Sequence, residues 1–157
     1  MRPNLKKNYS SREVAAITGL SARQLQWWDA RKLIKPSVAS HRTEAGGFTE
    51  RRYSPVDLFE LVVLADLRRS GLSVAKMRLL VDTLRKRFGI RLFDAIGGGG
   101  AITLLTDGSE VYARTDSGQF FNLLRAPGQP LLVVGNESRL KELKLRMRSK
   151  PRRRKKP

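Results

Sequence analysis

The chain has 157 residues, of which 32 are Lys or Arg and 14 are Asp or Glu, so the formal net charge is +18. A positive charge of this size attracts polyanions, with nucleic acid first and an anionic membrane surface second. The sequence has no cysteine and one histidine, which excludes disulfides, thiolate metal sites and histidine-based zinc sites. No apolar run approaches the roughly 18–20 residues that span a bilayer, and the N-terminus has no apolar signal-peptide segment. We therefore expect a cytoplasmic protein, located with the nucleoid, that uses no metal, no cofactor and no membrane partner.

Four serines mark the expected starts of helices in the first half of the chain. Ser10 and Ser21 are each followed three residues later by Glu or Gln, which is the spacing of a capping box. Ser54 is followed by proline, a residue favoured at the first helical position, and Ser73 can cap a further helix. These signals predict helices over about 11–18, 22–31, 55–69 and 73–88.

The apolar residues of these segments predict how the helices pack. Val14 and Ile17 are three residues apart and are expected to form the buried face of the first helix, which should stop at Gly19. The tight turn that follows leads into the second helix, as in a helix-turn-helix. The third helix is apolar on most sides and is expected to be the buried centre. A stripe at spacings of three and four on the fourth helix is interpreted as core packing, with a helix-pairing seam as the alternative: Val74, Met77, Val81, Leu84 and Phe88.

The remaining segments read as strands, turns and a charged tail. The polar, glycine-containing stretch 37–54 predicts a two-stranded wing. After the glycines of 96–101, two strands around an Asp-Gly turn, a helix near 119–125, a strand at "PLLVV" and a helix over 137–148 predict a ββαβα module. We interpret that module as a dimerisation or packing element, with effector binding as the alternative.

The expected fold class is α+β, with an N-terminal winged helix-turn-helix of four helices and a small C-terminal ββαβα module. The expected division is an N-terminal tail over 1–8, a DNA-binding domain over 9–90, the small module over 91–148 and a basic disordered tail over 149–157. Like charges repel and nothing apolar is present in that tail, so it cannot fold alone. The residues expected to follow DNA phosphates there are Arg152, Arg153, Arg154, Lys155 and Lys156.

Two adjacent tryptophans in the second predicted helix must face different directions, because neighbouring helical residues point about 100° apart. With Leu25 taken as the origin, Trp28 falls on the same side, whereas Trp27 falls on the opposite side near Arg23 and Gln26. Trp28 is therefore expected in the core. Trp27 is expected on a recognition face, where its ring lies against the sugar–phosphate backbone, or else covered by the wing or another chain.

The motifs and their order resemble the MerR family of bacterial transcription regulators. The resemblance covers about residues 9–85 and rests on "YSSREVAAITGLSARQLQWWDARKLIKP", the wing ending "RRYS" and "PVDLFELVVLADLRRSGLSVAKMRLL". The recognition helix of that family usually reads Ser-x-Arg-Thr-Leu-Arg-Tyr-Tyr followed by an acid. Ser21, Arg23, Leu25 and Asp29 match it, and the two tryptophans stand where the tyrosine pair stands. The resemblance implies that Arg23 and Trp27 contact DNA.

Three departures from the family pattern limit what the resemblance implies. Gln26 replaces the usual second arginine, so the base preference of the family does not transfer. Gly47 and Phe48 lie two residues further upstream than usual, which predicts a longer wing tip. The sequence stops any long helix near residue 89, whereas family members usually continue into a long coiled-coil helix and an effector domain.

The leading interpretation is a sequence-specific, DNA-binding transcription regulator of the MerR type. It is expected to bind double-stranded DNA as a homodimer on a pseudo-palindromic site, with RNA polymerase as a further partner. The alternatives are an architectural or excisionase-like DNA-bending protein and an RNA- or ribosome-associated protein. An enzyme is not expected, because the sequence has no cysteine, no histidine pair and no close acid pair in an apolar context, and the glycines of 96–101 lack the Lys-Ser or Lys-Thr of a phosphate loop. The predicted DNA-binding residues are Arg12, Ser21, Arg23, Gln24, Gln26, Trp27, His41, Arg42, Arg51, Arg52 and Tyr53.

Overall fold

The computed structural model describes residues 7–34, 38–42, 49–96, 100–131 and 139–143, with the backbone alone for 38–42 and 49–50. The helices within these ranges are α1 (Ser11–Thr18), α2 (Ala22–Ala30), α3 (Pro55–Arg69), α4 (Val74–Phe88) and α5 (Leu92–Ile96). The strands are β1 (Tyr9–Ser10), β2 (Val38–Arg42), β3 (Thr49–Tyr53), β4 (Ile102–Thr106), β5 (Val111–Thr115), β6 (Phe120–Asn122), β7 (Ala126–Leu131) and β8 (Lys141–Glu142). The α+β class is confirmed, and α5 and β1 are elements that the sequence did not reveal.

The four predicted helix starts are confirmed by their caps. Ser10, Ser21, Ser54 and Ser73 each have extended backbone angles and accept a hydrogen bond from the backbone N–H three residues later. At the first three, the side chain of that later residue also bonds back to the cap, which completes a capping box. The predicted bounds of these helices differ from the observed ones by one residue at most.

α3 and α4 form the centre of the molecule, as their apolar patterns predict. On α4 the side chains of Met77, Val81 and Leu84 are buried, and Val74 and Phe88 pack against the same core. The core-packing interpretation of this stripe is therefore confirmed. α4 ends at Phe88 because Gly89 adopts a left-handed conformation with φ 65°, a conformation that favours glycine.

The predicted burial of Ile17 on α1 is wrong, because its side chain is 44% exposed. Val14 is fully buried, and the second inward position belongs to Thr18, one helical turn later. The Thr18 Oγ1 donates to the carbonyl of Val14 at 2.7 Å and accepts from the N–H of Leu20 at 3.2 Å. These hydrogen bonds satisfy the buried hydroxyl, so a polar residue replaces the expected isoleucine in the turn.

The wing is a small antiparallel sheet in the order β1-β3-β2. Its two long strands confirm the predicted hairpin, and Tyr9 of the short β1 pairs with Tyr53 of β3. The predicted longer tip falls on residues 43–48, which lie outside the described residues, so it stays a prediction.

The C-terminal segment is an antiparallel sheet in the order β7-β6-β5-β4-β8, which corrects the predicted ββαβα module. The predicted turn at Asp107 and Gly108 is confirmed between β4 and β5. The helix predicted near 119–125 is wrong, since β6 pairs along β5 and a turn leads into β7. The helix predicted over 137–148 is wrong at β8, which pairs with β4, and residues 137–138 and 144–148 lie outside the described part of the chain.

One hydrophobic core connects the helices to this sheet. Leu104 of β4, Val111 and Ala113 of β5 and Leu123 belong to the same buried cluster as Leu64 of α3 and its neighbours. The sheet is thus packed on the helical part rather than tethered to it. In the part of the chain that the structure describes, no helix is both long and apolar enough to cross a membrane.

Candidate nucleic-acid interface

The two faces of α2 differ sharply in exposure, as the helix phase predicts. Leu25 and Trp28 are each 2% exposed, whereas Trp27 is 48% exposed. The capping box fixes the start of the helix, because the Ser21 Oγ accepts from the Gln24 N–H at 3.0 Å and the Gln24 Oε1 accepts from the Ser21 N–H at 2.9 Å. The outward position of Trp27 therefore follows from a rigid helix with a defined start.

A shallow groove runs along the outer face of α2, and five of the predicted DNA-binding residues lie together in it. It is lined by Ser21, Arg23, Gln24, Gln26, Trp27 and Ala30. Arg23 offers a planar guanidinium, Gln26 an amide that donates and accepts, and Trp27 an indole N–H. This set, with no carboxylate among the lining residues, matches the hydrogen-bond pattern of base edges and phosphates.

Arg31, which the sequence pattern did not single out, belongs to this surface. Its guanidinium carbon lies 3.9 Å from the centre of the Trp27 ring, a cation–π contact across one helical turn. The Arg31 guanidinium covers one side of the Trp27 ring and places a second cation, besides Arg23, at this surface of α2. The spacing of four residues between Trp27 and Arg31 was the available signal.

Arg51 of the wing is tied to α2. Its Nε donates to the Asp29 Oδ2 at 2.6 Å, and the two side chains are 35% and 25% exposed. The pair joins β3 to the end of α2, so it fixes the wing relative to the groove. Arg52, one residue on, donates from Nη1 to the Asn8 Oδ1 at 3.2 Å.

Tyr53 does not share this surface, which corrects its selection as a DNA contact. Its side chain is 1% exposed, and its hydroxyl is buried. Burial, and then the negative charge of Asp29, raise the pKa of Tyr53 above its ordinary value. Tyr53 ends the wing strand and points into the core, so its role is to anchor β3.

The other predicted contacts are dispersed or lie beyond the described residues. Arg12 is exposed on α1, away from the α2 groove. His41 and Arg42 lie on β2, where their backbones pair with Glu50 and Thr49. The tail residues 152–156 lie outside the described part of the chain.

A buried ion-pair cluster fixes α3 to the segment that leads into the C-terminal sheet. Asp57 is fully buried and Glu60 is 2% exposed. The Arg91 Nη2 donates to the Asp57 Oδ1 at 3.2 Å and to the Glu60 Oε1, and its Nε donates to the Glu60 Oε2 at 3.3 Å. The backbone N–H of Phe93 bonds to the same Glu60 oxygen at 3.0 Å. The hydrogen bonding of Arg91 to the Glu60 carboxylate is the main cause of the raised pKa of Arg91.

The placement of the acidic residues in the described ranges bears on whether they could hold a metal ion. They contain no group of three or more His, Asp or Glu side chains placed to hold an ion. The carboxylates of Asp57 and Glu60 are instead used by Arg91 and by backbone N–H groups.

Comparisons with known proteins extend over most of the chain. The family model "MerR HTH family regulatory protein" matches residues 9–84. Rv1830 of Mycobacterium tuberculosis and Mb1861 of Mycobacterium bovis are named uncharacterized HTH-type transcriptional regulators. Each is 32% identical to this chain over 135 residues, which is 86% of this chain and 55% of the relative. The chain thus spans little more than half the length of these relatives.

Two further similarities cover about half of the chain. TnrA of Bacillus subtilis, named an HTH-type transcriptional regulator, is 36% identical over 82 residues, which is 52% of this chain and 66% of TnrA. A solved structure of a MerR-family transcriptional regulator from Bacillus cereus covers 51% of this chain and 53% of its own, at 25% identity and a TM-score of 0.39.

Proposed function

Because residues 9–84 belong to the MerR family of helix-turn-helix regulatory proteins, we propose that this protein is a sequence-specific, DNA-binding transcription regulator. The observation that carries the proposal is the outer face of α2, where Arg23, Gln26 and Trp27 are exposed together while Leu25 and Trp28 are buried behind them. The names of the relatives point the same way, to transcriptional regulators rather than to enzymes. The net charge of +18 supports a polyanionic partner.

In the proposed complex α2 enters the major groove of double-stranded DNA. Arg23 donates to a guanine edge or a phosphate, and Gln26 reads a neighbouring base with its amide. Trp27, held from one side by Arg31, lies against the sugar–phosphate backbone. The Asp29–Arg51 pair supports this arrangement because it keeps the wing in a fixed position beside the helix.

The proposal includes a homodimer on a pseudo-palindromic site, RNA polymerase as a further partner and a cytoplasmic location at the nucleoid. These parts rest on the family resemblance. Among the described residues α4 ends at Phe88 and is followed by the short α5 and the sheet. The dimer contact must therefore be formed without a long helix directly after α4.

Selection of bound sequences from a random DNA pool, followed by titration of Arg23→Ala on the selected site and a scrambled duplex, tests the proposal. We expect a loss of about 1–3 kcal/mol on the selected site and a smaller loss on the scrambled one, because a base contact specifies sequence. Arg114→Ala is the matched control, since Arg114 is an exposed arginine on β5 in the C-terminal sheet. Its effect should be small and equal on both duplexes.

Two outcomes contradict the proposal. A pool that yields no enriched sequence removes the claim of sequence specificity and leaves a DNA-bending or RNA-associated protein. Equal losses for Arg23→Ala and Arg114→Ala on both duplexes remove Arg23 from recognition.

A further inference from the structure

A second groove, of about 650 Å³, lies where the end of α2, α3, α4 and the segment before α5 meet. Its apolar wall is formed by Leu33, Ile34 and Val81, each less than 9% exposed. Lys32, Arg85 and Arg91 line the rest of it together with two carboxylates. The volume falls within the range of small-molecule sites, about 300–1,000 Å³, which combine apolar walls with a few polar groups.

This groove is separate from the face proposed to read DNA. Asp29, which lines it, lies about 160° around the axis of α2 from Trp27, because two residues advance the helix by about 200°. The two grooves share no lining residue. An occupant of the second groove would therefore leave the exposed face of Arg23 and Trp27 open.

The charges of the groove fall into paired and unpaired groups. The Asp29 carboxylate is paired with Arg51, and Glu60 is paired with Arg91. The side chains of Lys32 and Arg85 have neither an ion pair nor a hydrogen bond with any described residue. Two cations beside an apolar wall are the complement of an anion that carries an apolar body.

The backbone at Lys32 supports a functional role for this lysine. Its φ is 57°, which makes it the single non-glycine residue with positive φ in the described ranges. The conformation is unfavourable for an L-residue, and it is held by backbone hydrogen bonds from the Lys32 N–H to the Asp29 carbonyl and from the Leu33 N–H to the Trp28 carbonyl. A glycine would fit this position without that cost, whereas a lysine brings a cation to the groove.

We propose that this groove binds a small organic anion, a phosphate or carboxylate on an apolar body, and that its occupancy changes the affinity of the protein for DNA. The second part rests on the proposed function. Asp29, which lines the groove, joins the recognition helix to the wing through its ion pair with Arg51. Glu60 and Arg91, which also line it, join α3 to the segment that leads into the sheet. An anion at Lys32 and Arg85 lies in the same groove as the Asp29 and Glu60 carboxylates and repels them, so binding is coupled to the position of α2 and the wing.

Phenyl phosphate is the probe, with inorganic phosphate supplying the charge alone and phenol the apolar ring alone. Titrations of the full chain, without DNA, follow the backbone amide signals of Leu33, Val81 and Arg85 by NMR. We expect saturable shifts of these signals with phenyl phosphate, at an affinity about tenfold or more above that of either fragment. Arg85→Gln should weaken binding about tenfold, the effect of removing one charge-assisted hydrogen bond.

Lys86→Gln is the matched control, because Lys86 is an exposed cation on the same helix and does not line the groove. It should bind phenyl phosphate as the unaltered protein does. Equal losses in both variants, shifts spread over other basic residues, or no saturation would mean non-specific anion binding to a +18 chain, and would overturn the site.

The coupling is measured as the affinity for the selected duplex with and without saturating phenyl phosphate, at matched ionic strength. We expect a change of about fivefold or more, as is typical of allosteric coupling, that Lys86→Gln retains and Arg85→Gln loses. An unchanged affinity at full occupancy would overturn the regulatory part. Failure of the proposed function is distinct, because a protein that binds no duplex can still bind the probe in the NMR titration.

Discussion

The helical segment 9–88 and the sheet segment 102–131 share one core but are specified in different ways. Each helix in the first segment begins after a serine whose side chain accepts a hydrogen bond from the backbone N–H three residues later. The sequence signal for the helix start and the bond that forms it therefore lie within the same four residues. In the second, Phe121 faces Ala113 and Leu105 faces Glu142, partners that are 8 and 37 residues apart. Helices that carry their own start signals can be located from local sequence, whereas strands acquire their identity from partners elsewhere.

The largest expected effect tests whether the two segments unfold together. Trp28→Ala should lower the free energy of unfolding by about 3–5 kcal/mol, because Trp28 is 2% exposed in the core. Since the core is continuous, the helical signal in far-ultraviolet circular dichroism and the NMR signals of β4 and β5 should be lost at the same denaturant concentration.

Trp27→Ala is the matched variant, because it removes the same side chain from the exposed face of α2. Its unfolding midpoint should stay close to that of the unaltered protein while DNA binding weakens. A larger destabilisation from Trp27→Ala than from Trp28→Ala would mean that Trp27, and not Trp28, lies on the buried face of α2. Separate midpoints for helix and sheet would make them independent units.

The second prediction concerns the ion pairs that join the segments. Arg91→Ala should lower the free energy of unfolding by about 2–3 kcal/mol, because Asp57 and Glu60 stay buried and both lose their ion pair with Arg91. The expected loss of stability is smaller than for a fully buried ion pair, since the Arg91 side chain is 45% exposed. Denaturant titration measures it, with Lys86→Ala as the exposed control expected to change stability by less than about 0.5 kcal/mol. Equal stabilities of the two variants would remove the ion pairs as a link.

A third prediction concerns the charged tail. It is expected to bind DNA phosphates without choosing a sequence, in contrast to the role proposed for the helical segment. Deleting residues 149–157 removes six cations, and each DNA phosphate that is then no longer neutralised should flatten the slope of log affinity against log salt by about 0.9. We expect a slope reduced by a few units, with similar decreases in affinity on specific and scrambled duplexes titrated at several salt concentrations. A truncated protein that keeps the full slope on both duplexes would leave the tail without a role in DNA binding.

The smallest expected effect tests a local signal inside the sheet segment. The Asp107 Oδ1 accepts from the N–H of Glu110 at 2.8 Å and of Ser109 at 2.9 Å, and these bonds, Glu110 first, lower the pKa of Asp107. Asp107→Ala should cost about 0.5–1.5 kcal/mol, and Asp107→Asn, which keeps an acceptor, less. Thermal unfolding of the pair against the unaltered protein measures the difference.

The pH dependence of this turn has a defined sign. Because the folded pKa of Asp107 lies below the ordinary value of 3.8, its stabilisation is present above that value. It is lost as the pH falls through the lower folded pKa. The stability difference from Asp107→Asn should therefore shrink below about pH 3.8, and a difference that grows in acid would contradict the assigned hydrogen bonds.

The sequence predicted most of the helical segment and the centre of the candidate site. The helix bounds, the burial of Trp28 and the exposure of Trp27 follow from caps and from a 100° step. The prediction for Ile17 failed because Thr18 satisfies its hydroxyl within the last turn of α1, which spacing alone does not reveal. The prediction for Tyr53 failed because a residue at the end of a wing strand can face either the core or solvent.

The links between segments had no sequence signal at all. Arg91 is 31 and 34 residues from Glu60 and Asp57, and nothing near any of them indicates the pairing. The segment predicted as a helix near 119–125 contains a short apolar run that also suits a strand, and its pairing with β5 decided between the two. Only tertiary partners distinguish such cases.

The outer strand β7 has a consequence for the solubility of the protein at high concentration. It pairs with β6 alone among the described strands, which leaves its other side at the edge of the sheet. Two of its six residues, Pro127 and Pro130, carry no backbone N–H. An open edge with a full row of donors invites the strand of another molecule, and repeated additions lead to fibres. The two prolines remove two of the backbone donors of β7, which makes this edge a poorer template for a strand from another molecule.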